Sequence, residues 1–192
     1  SLQGSEGSLA DRLSYFSAYL CLYLFAAALL LGPLKSRRSG KPLLNNHMRR
    51  DIGIWGGLAG LLHFWLANVL AMTWEYVGVF VENASAPPSA AVRDQLYLWG
   101  TILGYIVAVV ILVLLTLSSD RMLKWIGKRW WKRLQRLTYV AFIATVIHAF
   151  AFQLLETRAS LWVALVIAIT VVVAGLQISA FRKVRGATKS PR

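Results

Sequence analysis

Apolar residues in this chain run in long unbroken stretches instead of alternating or marking one helical face. Five stretches are long enough to cross the hydrocarbon core of a bilayer as helices: approximately Leu13–Leu34, Ile52–Val81 (apolar core to about Met72), Leu96–Leu117, Leu137–Leu155 and Leu161–Phe181. Lipid offers backbone polar groups no hydrogen-bond partner, so runs of this length satisfy their own groups as helices. Ser118–Arg136 has a different rhythm. There Met122, Leu123, Ile126, Trp130 and Leu134 recur at spacings of one, three and four, with Lys and Arg between them. That pattern predicts an amphipathic interfacial helix feeding the fourth span, with Trp125, Trp130 and Trp131 as interface anchors. The expected fold is all-α: an integral membrane helical bundle of about five transmembrane helices plus the interfacial helix. Residues 13–181 form the bundle, and 1–12 and 182–192 are tails too short to build a soluble domain.

Composition strengthens the membrane reading. Of 192 residues, 57% are hydrophobic and 15% charged, more apolar surface than a soluble domain of this size can bury. The net charge of +13 suggests nucleic acid until its distribution is read. Six basic residues lie between the first two spans (Lys35, Arg37, Arg38, Lys41, Arg49, Arg50) and seven between the third and fourth. Those seven are Arg121, Lys124, Lys128, Arg129, Lys132, Arg133 and Arg136, and five more follow the last span (Arg182, Lys183, Arg185, Lys189, Arg192). The other face keeps Arg12, Arg93 and Arg158. By the positive-inside rule the N-terminus is outside and the C-terminus cytoplasmic. The charge is accounted for by topology and attraction to anionic lipid, with an acidic cytoplasmic partner as the sharper alternative; nucleic acid is not expected.

Cys21 is the single cysteine, so no intramolecular disulfide forms. The first span has a weak basic flank before it and a strongly basic loop after it, which reads as a retained reverse anchor. The inner loop Lys35–Arg50 carries the turn signals Gly40-Lys41-Pro42 and Asn45-Asn46, and its His47 reads as solvated. Beyond Ala71, Trp74, Glu75, Tyr76 and Glu82 mark an outer interface, and Asn83–Asp94, with Pro87-Pro88, reads as a spacer. The third span reads as scaffold, with Gly104 a close-packing point. The fifth, interrupted by Thr170, Gly175 and Gln177, carries no strong ligand candidate.

The chemistry rests on His63 and His148, the two histidines inside apolar stretches. His63 lies 13 residues beyond Arg50 and His148 lies 12 beyond Arg136, each arginine being the last basic residue before its span. At 1.5 Å per residue both imidazoles sit roughly 18–20 Å from the basic side. An intramembrane ionisable residue is costly, and two at one depth suggest a shared ligand, most simply the iron of a haem. Gly56, Gly60, His63 and Ala67 share one face of the second span. The glycines there serve either close helix packing or a groove in which a flat macrocycle approaches the backbone. In the fourth span Ala141, Thr145, His148 and Phe152 share a face. There is no Ser–His–Asp or HExxH pattern, no phosphate-binding glycine loop and no intramembrane carboxylate pair, so no catalytic residue is assigned. Transport is weakly supported, because broken helices and charged midplane residues are lacking.

Two blocks carry a family resemblance. They are Lys41-Pro-Leu-Leu…Arg49-Arg50-Asp-Ile-Gly-Ile-Trp…Leu62-His63 and Gly127-Lys-Arg-Trp-Trp-Lys-Arg-Leu-Gln135-Arg-Leu-Thr-Tyr139…His148. Over about Leu13–Phe181 the chain resembles the ferric-reductase-like transmembrane domain family, and within it the MsrQ-like haem-binding membrane subunits. The resemblance implies b-type haem and transmembrane electron transfer, with His63 and His148 at haem-ligand positions. Two departures matter. Gln135 stands where the MsrQ-like branch has a histidine, and Arg49 and Arg50 stand where the oxidase branch has its second ligand. The family also has six spans against five here, the first being the one without a counterpart.

The resulting expectation is a membrane cytochrome subunit holding one haem b between His63 and His148, with Gly56 and Gly60 beside it. A second, inner-side haem loses its ligand at Gln135, so electrons would enter from a bound quinone or flavin. Without NAD- or FAD-binding sequence, the chain is at most the membrane electron-transfer subunit of an oxidoreductase. Its expected partners are membrane lipid and a partner protein or larger membrane complex, in a bacterial inner or thylakoid-type membrane. The alternative, favoured by the departures, is a structural or accessory subunit of a larger membrane complex, keeping the bundle with or without a haem or pigment.

Overall fold

A computed structural model describes residues 9–37, 46–71, 88–155 and 160–189, and every regular element among them is a helix. In chain order they are α1 (Leu9–Arg37), α2 (Asn46–Ala71), α3 (Pro88–Leu117), α4 (Asp120–Leu134), α5 (Leu137–Leu155) and α6 (Ser160–Lys189). All but α4 are long and apolar enough to cross a membrane, over Arg12–Leu34, Met48–Val69, Val92–Leu117, Leu137–Leu155 and Leu161–Lys183. The protein is a multi-pass membrane protein. The aromatic and acidic belt expected over Trp74–Glu82 lies outside the described residues, as does the side chain of His47.

Helical backbone outruns the apolar limits at several ends. The end of the stretch read as a spacer is already α3, which begins at Pro88. Proline is pre-set for the first turn of a helix, where its missing N–H costs nothing, and the Ser89-Ala-Ala that follows extends the helix readily. Hydropathy marks only the part of a helix that lies in lipid, so it placed this start too late.

Helix α1 is the most enclosed span, packing along α2 on one side and α6 on another, while α3 packs chiefly against α5. The buried core centres on Cys21, Leu22, Phe25, Ala26 and Leu29 of α1, joined by Val107 and Ile111 of α3, Phe142 and Val146 of α5, and Val166 and Val173 of α6. Glycines on α2 set the closeness of this packing. A Cβ at Gly56 would stand 3.0 Å from Phe25 Cδ1 and 3.1 Å from Leu24 Cβ, and one at Gly57 would stand 2.8 Å from Leu115 Cδ2. Small residues let membrane helices approach where lipid supplies no hydrophobic drive to do so.

One polar contact explains a proline and a glutamine together. Pro33 lies inside α1 and has no N–H to give the carbonyl four residues back, that of Leu29. Gln177 of α6 donates its Nε2 to that oxygen at 2.7 Å, which also fastens α6 to α1. What reads as a polar interruption in the last span is the missing donor of the first.

Helix α4 is amphipathic, has no buried residue and is broken at Gly127, whose φ of 79° favours glycine. The Ser119 hydroxyl caps it by accepting from Met122 N–H at 3.3 Å. Asp120 pairs with Arg50 at the start of α2, and Trp131 donates its indole N–H to the Leu117 carbonyl at 2.7 Å. These contacts hold α4 across one end of the bundle, here called the basic end.

Candidate functional site

The structure brings His63 of α2 and His148 of α5 together edge to face, with ring centroids 6.2 Å apart and planes at 70°. The two helices belong to different packed pairs, so the histidines meet across the middle of the bundle. Each ring is anchored the same way, by a backbone carbonyl on its own helix's partner. His63 Nδ1 lies 3.0 Å from the Ser14 carbonyl of α1 and 3.2 Å from the Ser14 hydroxyl. Ser17 holds that carbonyl too, donating its hydroxyl at 2.9 Å. His148 Nδ1 lies 2.8 Å from the Gly100 carbonyl of α3. A carbonyl oxygen only accepts, so Nδ1 of each ring is the protonated nitrogen and, in a neutral ring, Nε2 carries the lone pair. This is the arrangement by which a backbone oxygen orients a metal-binding histidine.

Glycines shape the His148 side. A Cβ on Gly104 would stand 2.8 Å from His148 Cε1, and one on Gly100 would stand 3.0 Å from Phe152 Cε2. Phe152 packs on His148 with centroids 4.9 Å apart and passes on to Tyr97 at 5.8 Å. The ring therefore sits in a slot that only glycine leaves open.

Both histidines line a cavity of about 280 Å³, walled also by small residues such as Ala18, Gly60, Ala67, Gly104, Ala108 and Ala149. Its wall also holds Thr145 and Gln153, whose Oγ1 and Oε1 are buried without a hydrogen-bond partner among the described residues. Gln153 is 5% exposed, and its Nε2 donates to the Tyr19 hydroxyl at 3.2 Å. Buried polar atoms are nearly always paired, so two such acceptors on one wall suit a polar group or water in the cavity.

Each imidazole carries its proton on Nδ1, so His63 and His148 would present Nε2 to a haem iron, the donor type that such iron takes. The 6.2 Å between ring centroids lies within the ordinary range of ring–ring contact and does not by itself call for a metal. Among the described residues no three His, Cys, Asp or Glu side chains converge, so a site built wholly from protein ligands, as for structural zinc, has no basis here.

Of the other residues singled out from sequence, Gly60, Ala67, Thr145 and Phe152 line the cavity. Gly56 faces Leu24 and Phe25 instead, so its role is the close packing of α2 on α1. Gly60 does both, lining the cavity while its Cα points toward Ile111 Cδ1 and Cys21 Sγ, which a Cβ would meet at 2.8 and 2.9 Å. Gly104, expected as a close-packing point, is one, with His148 as the group packed on it, whereas sequence reasoning missed Ser14 and Gly100. A carbonyl acceptor leaves no trace in residue identity, and a serine near a span end is unremarkable.

At the basic end stand the three residues at which the family resemblance expected further ligands. Gln135 closes α4, its N–H donating to Trp131 O at 3.0 Å and its carbonyl accepting from the Thr138 hydroxyl at 2.9 Å. Arg50 pairs with Asp120, and the Arg49 guanidinium lies against Gly32 of α1. No protein-family model, curated protein or solved structure matches the chain.

Proposed function

We propose that this protein is a b-type cytochrome subunit of a membrane electron-transfer system, similar to the ferric-reductase-like family, with one haem held between His63 and His148. The observation that carries the reading is the pair of adjoining imidazoles on the wall of one cavity, each held at Nδ1 by a backbone carbonyl. Bound there, a haem supplies one-electron chemistry by cycling between ferric and ferrous iron. The chain's own residues do the rest. Ser14 and Gly100 fix tautomer and ring orientation, Gly104 makes room for His148, and the surrounding apolar wall limits water. A quinone or flavin serves as donor and a partner protein as acceptor. The proposed orientation, from the basic residues, puts the N-terminus outside and the C-terminus in the cytoplasm of a bacterial inner or thylakoid-type membrane.

The test is a reduced-minus-oxidised absorption spectrum of the purified protein after haem reconstitution. A b-type spectrum is expected, and its complete absence would sink the reading. His63→Ala and His148→Ala each abolish it, whereas His47→Ala leaves it intact.

A second reading has its own support. Gln135, Arg49 and Arg50 stand where the family resemblance places inner ligands, and Arg50 pairs with Asp120 while Arg49 lies against Gly32. A bundle without an inner relay suits an accessory subunit of a larger membrane complex that binds a haem or pigment without carrying electrons. Co-purification with a large assembly, together with a haem that dithionite reduces but no membrane donor does, favours that reading.

A further inference from the structure

We propose that α4 is a lipid-recognition element, binding the headgroups of anionic phospholipids in the leaflet at the basic end of the bundle. Three independent observations converge on it. The first is confinement. Ser118–Ser119 joins α4 to the end of the membrane-crossing α3, and Gln135–Arg136 joins it to the start of the membrane-crossing α5. Two-residue links at both ends leave a 15-residue helix no freedom to rise from the bilayer surface. Its outward face therefore lies at the level of the headgroups.

The second is charge. Arg121, Lys124, Lys128, Arg129, Lys132, Arg133 and Arg136 are all exposed, and no acidic residue occurs among 121–136. The one carboxylate of the helix, Asp120, is already paired with Arg50. Seven cations, six on α4 and Arg136 just beyond it, thus stand together with no counter-charge among residues 121–136. Cations at a membrane surface attract anionic lipid, each changing headgroup affinity about fivefold.

The third is aromatic exposure. Trp125 is 81% exposed and Trp130 57%, the latter with the Arg133 guanidinium 4.9 Å from its ring centre. Indoles among basic residues are typical of the headgroup zone, where the ring meets acyl chain and the N–H meets water or phosphate. A binding face for an acidic protein would share the charge, but the confinement places these indoles among lipid. The break at Gly127 divides the element into two short helices, which lets both halves follow the same surface. The proposal is independent of what the histidines hold.

The full chain in reconstituted vesicles tests it. Brominated lipids quench indole fluorescence on contact, so vesicles of phosphatidylcholine with 30% phosphatidylglycerol are prepared in two forms, bromine on one lipid or on the other (about 30%, an anionic fraction sufficient for a negative surface). The wild type compared with Trp125→Phe and Trp130→Phe isolates the two indoles. The expected result is stronger quenching, per mole of brominated lipid, by phosphatidylglycerol, a preference that falls severalfold in high salt. It falls further in the variant Lys124→Gln/Lys128→Gln/Arg129→Gln/Lys132→Gln, but not when Arg182 and Lys183 are replaced by Gln. The salt arm needs no variant, so a misfolded mutant does not decide the outcome. Equal quenching by the two lipids at low salt overturns the proposal, as does an acidic protein partner that shields both indoles while lipid charge makes no difference.

Discussion

The two halves of the histidine site have the same design and different tolerances. In each, a histidine on one helix is held through Nδ1 by a carbonyl of the packed neighbour: α2 against α1 for His63, α3 against α5 for His148. On the His63 side the anchoring is redundant. The Ser14 carbonyl and hydroxyl both lie within reach, and Ser17 steadies that carbonyl. On the His148 side one carbonyl holds the ring, and its position is enforced by shape, between Phe152 and the bare backbone of Gly104. A ring held by several polar groups survives the loss of one. A ring held by a slot depends on the slot staying open.

The largest expected effect comes from removing either ring. His63→Ala and His148→Ala should each eliminate the spectrum of the proposed haem, and a spectrum surviving in either variant would show that the two halves do not act on one ligand. Next is Gly104→Ala. Its Cβ would stand 2.8 Å from His148 Cε1, so the ring must leave its carbonyl, with an overpacking cost of about 1–3 kcal/mol and loss of most haem occupancy. Gly60→Ala is the matched change on the other half. The atoms in its way, Ile111 Cδ1 and Cys21 Sγ, are side-chain ends that can rotate aside, so the loss should be about 1 kcal/mol or less and the spectrum retained. Thermal midpoints and haem stoichiometry of the two variants measure the contrast directly. If Gly60→Ala proves the more damaging, the slot account of His148 is wrong.

Ser14→Ala should have a smaller effect. The carbonyl remains, so the loss is about 0.6 kcal/mol, typical of a hydrogen bond between membrane helices, with the spectrum kept and its potential altered. The smallest effect belongs to Gly53→Ala. Nothing lies within 4 Å of its Cβ position, and the helix gains by up to about 1 kcal/mol in intrinsic propensity, so stability should hold or rise. That variant calibrates the others, since a large loss there would mean that any alanine on α2 disturbs the bundle.

The legibility of this molecule follows the same division. Long apolar runs identify the spans because the bilayer imposes one length and one backbone solution on any chain that crosses it. The interfacial helix was readable for the same reason, its three-and-four rhythm interleaved with cations. His63 and His148 stood out because titratable side chains are rare in lipid, and counting from the last arginine of each loop put them at one depth. The glycines were ambiguous. Gly56 and Gly60 have the same spacing logic, yet one only packs on α1 and the other also opens onto the cavity.

What the sequence by itself determined is the membrane class of the protein, the five spans found among the described residues and the two histidines placed inside them. Each of these depends on how single residues partition between water and lipid, a property each residue carries with it. Only the tertiary structure decided that the two rings stand 6.2 Å apart, that Ser14 and Gly100 fix their nitrogens, and that Gln177 replaces the donor Pro33 lacks. These depend on backbone oxygens and on the register of one helix against another. Packing sets that register across the whole bundle, and no stretch of chain contains it alone.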